Sequence, residues 1–95
     1  MSDTPALENF LSAYFHQDWA MEHDTASGVV DAYLGSEADA EIVAVRDDLA
    51  SLADENLDEP ALGARMQSLG CEYDPSREGG SWRAWLASLR DAFSR

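Results

Sequence analysis

The apolar residues of this chain recur at helical spacing. Leu7, Phe10, Leu11, Tyr14 and Phe15 fall at i, i+3, i+4, i+7 and i+8. That spacing gathers all five on one face of a helix and would scatter them over both faces of a strand. Val29, Val30, Tyr33 and Leu34 form a second set. Ile42, Val45, Leu49 and Leu52 form a third, and Leu62, Met66 and Leu69 a fourth. Trp82, Trp85, Leu86, Leu89 and Phe93 close the series. No alternating stretch of useful length occurs, so no sheet is expected. The spacing predicts an all-α fold, a compact bundle of four to five helices. At 95 residues the chain is expected to form a single domain, 1–95, with a small core.

Start and stop residues bound these segments. Thr4 is the expected N-cap of the first, with Pro5 in the first helical position. Thr25 or Asp24 caps the second, which Gly28 weakens by roughly 1 kcal/mol relative to alanine and Gly35 is expected to end. Ser36, with Asp39 three residues on, resembles a capping box and opens the third, the longest, running to Asp54. Asp58 caps the fourth, and Gly70 ends it. Cys71 to Gly80 reads as a loop, and Ser81 caps the last helix. The stretch from His16 to Asp24 has no clean period and reads as an aromatic connector tucked against the core.

Charge narrows what the chain can bind. There are 19 Asp and Glu against six Arg and no Lys, a formal net charge of -13. Such a chain lacks the basic face that nucleic acid or an anionic membrane requires. It is 45% hydrophobic with nine aromatic residues, so it is not a disordered acidic tail. The N-terminal residues show no secretory signal, no apolar run approaches the roughly 20 residues of a membrane span, and Cys71 alone makes no internal disulfide. A cytoplasmic, monomeric protein is expected. On the third helix Asp47 and Asp54 lie nearly opposite the apolar stripe, with Glu37, Asp48 and Glu55 beside them and Arg46 interrupting. A carboxylate strip of this kind speeds association with a basic partner, although a soluble or salt-adapted surface has the same composition.

Nothing in the sequence reads as an enzyme. His16, Asp18, His23 and Asp24 are the densest set of potential ligands, but their spacing matches no standard metal pattern, so no metal or other cofactor is expected. Their simpler role is hydrogen bonding beside Tyr14, Phe15 and Trp19. Cys71 sits among Glu72 and Asp74, which suppress a thiolate. No phosphate-binding glycine loop or calcium loop occurs. Trp82 and Trp85 are expected in the core.

The run Tyr14-Phe15-His16-Gln17-Asp18-Trp19, within Leu7 to Trp19, resembles the start of a family of small immunity proteins from bacterial contact-dependent growth inhibition (CDI) systems. The Val29 to Leu34 helix, and in outline Cys71 and Tyr73 before a Trp-bearing last helix, extend the likeness. The resemblance implies a protein that binds and neutralises the toxic C-terminal domain of a surface-delivered effector, by steric and electrostatic occlusion. That domain is expected to be basic and a nuclease. The motif residues Tyr14, Phe15, His16, Gln17, Asp18 and Trp19 are expected to be structural. The toxin face is placed on Asp47, Asp48, Asp54, Glu55, Asp58 and Glu59, with Tyr73 as the exposed aromatic anchor. The alternative is an acidic adaptor or regulatory module for another basic protein.

Overall fold

Each apolar stripe forms a helix. The computed structural model describes residues 4–22 and 25–94. Helix α1 spans Pro5–Tyr14, a single turn α2 spans Trp19–Glu22, α3 spans Ala26–Ser36 and α4 spans Asp39–Asp54. Helix α5 spans Glu59–Ser68, a 3-10 turn covers Pro75–Glu78, and α6 spans Trp82–Phe93. Among the described residues there is no strand. The expected all-α fold is therefore observed, with five substantial helices and one short turn of helix.

Most of the expected caps form. Thr25 Oγ1 accepts from Gly28 N–H at 3.0 Å, Asp58 Oδ1 from Ala61 N–H at 3.0 Å, and Ser81 Oγ from Ala84 N–H at 3.1 Å. Asp24, the other candidate cap of α3, lies outside the described residues, as do His23 and Arg95. Two boundaries differ from expectation. Gly35 does not end α3, which runs on through Ser36. Ser36 does not cap α4, because its hydroxyl donates back to Ala32 O at 2.7 Å inside α3. The residue at the start of α4 is Ala38, with no side-chain cap. A serine hydroxyl can serve the turn behind it as readily as the helix ahead, and local spacing does not decide between them.

Helices α4 and α6 pack together at the centre, with α1 against α4, and with α3, α5 and the 3-10 turn against α6. The core is strongly aromatic. Phe10 of α1 lies 4.6 Å from Tyr33 of α3 and 5.4 Å from Phe93 of α6, ring centre to ring centre. Phe15 meets Phe10 edge-on at 5.6 Å and Trp85 edge-on at 5.3 Å. Each such pair adds about 0.5–1.5 kcal/mol beyond area burial. They tie three helices together in a chain too short to rely on aliphatic bulk. Helix α5 approaches α6 closely at Gly63, where an added Cβ would stand 2.6 Å from Trp82 Nε1. Gly70 closes α5 with a φ of 98°, a left-handed conformation suited to glycine.

Candidate functional site

The six carboxylates of the expected acidic face do not share one role. Asp48 points from α4 to the N-terminus of α1, where its Oδ2 accepts from the Ala6 and Leu7 N–H groups at 2.9 and 3.0 Å. Thr4 holds the N-cap position of α1 but makes no side-chain cap bond there. The free N–H groups of α1 are thus met by a carboxylate 41 and 42 residues away in sequence. Glu59 plays the same part for α6. Its Oε1 accepts from the Trp82 N–H and its Oε2 from the Arg83 N–H at 3.2 Å. A helix N-terminus carries partial positive charge and unpaired donors, so both contacts are favourable twice over.

Two further carboxylates also have partners within the chain. Glu55 forms a two-pronged pair with Arg65 at 2.7 and 3.0 Å. Hydrogen bonding to that guanidinium holds the Glu55 carboxyl below the usual range. Asp58 caps α5. The two that remain, Asp47 and Asp54, are exposed. Asp47 has only a 3.4 Å contact with its neighbour Arg46.

Tyr73 is not the exposed aromatic that was expected. It is 8% exposed, with its ring 5.2 Å from Trp19, 5.8 Å from Phe15 and 5.1 Å from Trp85. The cause is the short segment between α5 and the 3-10 turn. Glu72 N–H donates to Phe15 O at 2.8 Å, which ties this segment to the end of α1. Side chains then alternate, with Cys71 and Tyr73 inward and Glu72 outward. Only three residues alternate, too few to register in a sequence otherwise patterned for helices.

In the Tyr14 to Trp19 run, Phe15 is fully buried and Trp19 half-buried, while Gln17 and Asp18 face solvent. Tyr14 O–H donates to Glu37 at 3.2 Å, joining α1 to the end of α3. His16 Nδ1 accepts from the Asp18 N–H at 3.1 Å, which shapes the turn into α2. Met21 on α2 is 86% exposed, the most exposed large apolar side chain among the described residues. A segment without periodicity gives no sign of which side chains face outward, so the sequence did not single it out.

Burial pushes the Cys71 thiol up to about 12, with Glu72 and Asp74 adding to the effect. Its Sγ donates to Tyr73 O at 3.3 Å. Such a thiol is not a nucleophile near neutral pH. Among the described residues no three His, Cys, Asp or Glu side chains converge as metal ligands. None of the described helices is long and apolar enough to cross a membrane.

The chain matches the family described as CdiI immunity protein over residues 3–93. No curated protein matches it. Among solved structures it is similar to a chain of the crystal structure of a CdiA-CT/CdiI complex from Y. kristensenii 33638. The two share 24% identity and superpose with a TM-score of 0.89, over 97% of this chain and 99% of that one. At that identity the likeness establishes a common fold.

Proposed function

The chain belongs to the CdiI immunity protein family, and from that premise we propose that it binds and neutralises the toxic C-terminal domain of a CDI effector. It acts by occupying the toxin's surface, without catalysis or a cofactor. The observation that carries this reading is the family match across nearly the whole chain. The likeness to a chain from a CdiA-CT/CdiI complex supports it. So does the net charge of -13, which favours a basic partner.

The carboxylate face of α4 and the turn after it is the proposed contact surface. Its members differ in what they can give. Asp47 and Asp54 can meet a partner without surrendering an internal cap. Asp48 and Glu59 already hold the ends of α1 and α6, so their part is to shape the surface and add to its field. Glu55 and Asp58 stand between these extremes. With Tyr73 in the core, the apolar anchor falls to Met21. A nuclease toxin fits best, because a row of carboxylates occupies a phosphate groove by imitating its substrate's charge.

The test is rescue. The effector fragment encoded immediately upstream is expressed inducibly, with and without this chain, and surviving cells are counted. Survival only in the presence of this chain is expected. Toxicity without rescue would overturn the reading and favour an acidic adaptor for a different basic protein.

A further inference from the structure

Two arginines of α6 behave unlike the rest of this surface. Arg65 pairs with Glu55, Arg77 reaches Asp74 at 4.0 Å, and Arg46 touches Asp47. Among the described residues, no carboxylate lies within salt-bridge distance of Arg83 or Arg90. Both are exposed. In a chain with 19 carboxylates and six arginines, two unpaired guanidiniums on one helix are a departure. They lie seven residues apart, two turns along one face, or about 10 Å.

Between them is a depression of about 200 Å³ where α4, α5 and α6 meet. Leu52, Leu57, Leu62 and Leu86 line it, with Arg83 and Arg90. The turn after α4 opens it: Asn56 takes a φ of 53°, a left-handed conformation that asparagine tolerates, and carries the chain on to Leu57 and α5. Leu52, Leu62 and Leu86 are buried beneath it and Leu57 is half-buried, so what it offers an occupant is chiefly the two guanidiniums, and the occupant must bring negative charge to meet them.

We propose that this depression receives an acidic side chain from the toxin domain. This rests on the neutralisation reading above. The long-range field and the local site then ask for different things from the same partner. At physiological salt, fields between exposed charges fade over about 8 Å. Beyond that distance the partner meets an acidic molecule and is drawn in by its own basic charge. At contact it meets two guanidiniums whose planar forks suit a carboxylate. The acidic face of α4 sets the encounter rate, and the arginine depression fixes the orientation in which the complex holds.

Charge reversal separates these roles, because the two forces predict opposite signs. Replacing Arg83→Glu and Arg90→Glu together makes the chain four charge units more acidic. Attraction to a basic toxin alone would then tighten binding. The proposal expects the reverse. Association and dissociation rates are measured with the purified upstream-encoded fragment for wild type, R83E/R90E, R83Q/R90Q and the control R77E, at physiological salt. The dissociation rate is expected to rise more than tenfold in R83E/R90E and by a smaller factor in R83Q/R90Q. R77E is expected to stay within twofold of wild type. Unchanged or slower dissociation of R83E/R90E would overturn the proposal. So would a loss confined to the Glu pair, since that is repulsion introduced rather than attraction removed. Failure of the wild-type chain to bind the fragment would overturn the neutralisation reading itself, before any variant is compared.

Discussion

Replacing Asp48 by alanine removes the acceptor shared by the Ala6 and Leu7 N–H groups. Among the described residues no other side chain caps α1 at that point, since Thr4 makes no side-chain cap bond there. Hydrogen bonds to a charged group contribute about 1.5–3 kcal/mol each, but this site is only partly buried and one oxygen serves both donors. Treated as a single N-cap, the loss is about 2 kcal/mol. In a domain this size 1 kcal/mol shifts the melting temperature by roughly 4–8 °C, so a fall of about 8–16 °C is expected. The matched control is Asp47→Ala. It removes the same charge one residue away from an exposed carboxylate, and should shift stability by no more than about 0.5 kcal/mol. Asp48→Asn keeps an oxygen but not its charge, and should fall between the two, because charge-assisted bonds are about twice as strong as neutral ones. The assay is thermal melting at pH 7 followed by far-ultraviolet circular dichroism. If Asp48→Ala and Asp47→Ala melt within about 3 °C of each other, the cross-helix cap contributes nothing and this reading of the strip is wrong.

Three further outcomes are expected. Gly63→Ala should destabilise the chain by about 1–2 kcal/mol in urea unfolding, because crowding against the Trp82 ring outweighs the roughly 1 kcal/mol gain in helix propensity; a stabilised variant would mean that α5 and α6 separate freely. Cys71 and Tyr33 are both pushed by burial to about 12, from 9.0 and 10.0, so the folded state holds their protons where the unfolded state releases them. Stability should therefore be intact below pH 9 and decline as pH rises toward 12, and Cys71→Ala should remove the part of the decline that begins near pH 9, as read by urea midpoints across that range. Asp47→Asn with Asp54→Asn should slow association with the toxin fragment and flatten its salt dependence without changing the melting temperature; unchanged association kinetics would move the encounter surface off α4.

The periods of apolar residues determined the helices, because a helix is a local structure whose face can be counted along the chain. Asp58, Ser81 and Gly70 could be assigned for the same reason, and Thr25 as one of two candidates, since a cap acts within a few residues of itself. The family likeness was also legible, because the Tyr14 to Trp19 run is contiguous and can be read along the chain without knowing what it touches. What the sequence could not decide was which partner each polar side chain takes. Asp47 and Asp48 are neighbours on one helix, and only the packing of α1 on α4 makes one a cap and leaves the other in solvent. Glu59 stands in the first turn of α5, yet its carboxylate serves α6, 23 residues on. Tyr73 was turned inward by one backbone bond to Phe15. Arg83 and Arg90 lie on the exposed side of α6, and only the meeting of α4, α5 and α6 places a hollow between them. Helical periodicity is set by bonds three and four residues long, whereas charge partners and hollows arise where distant segments touch.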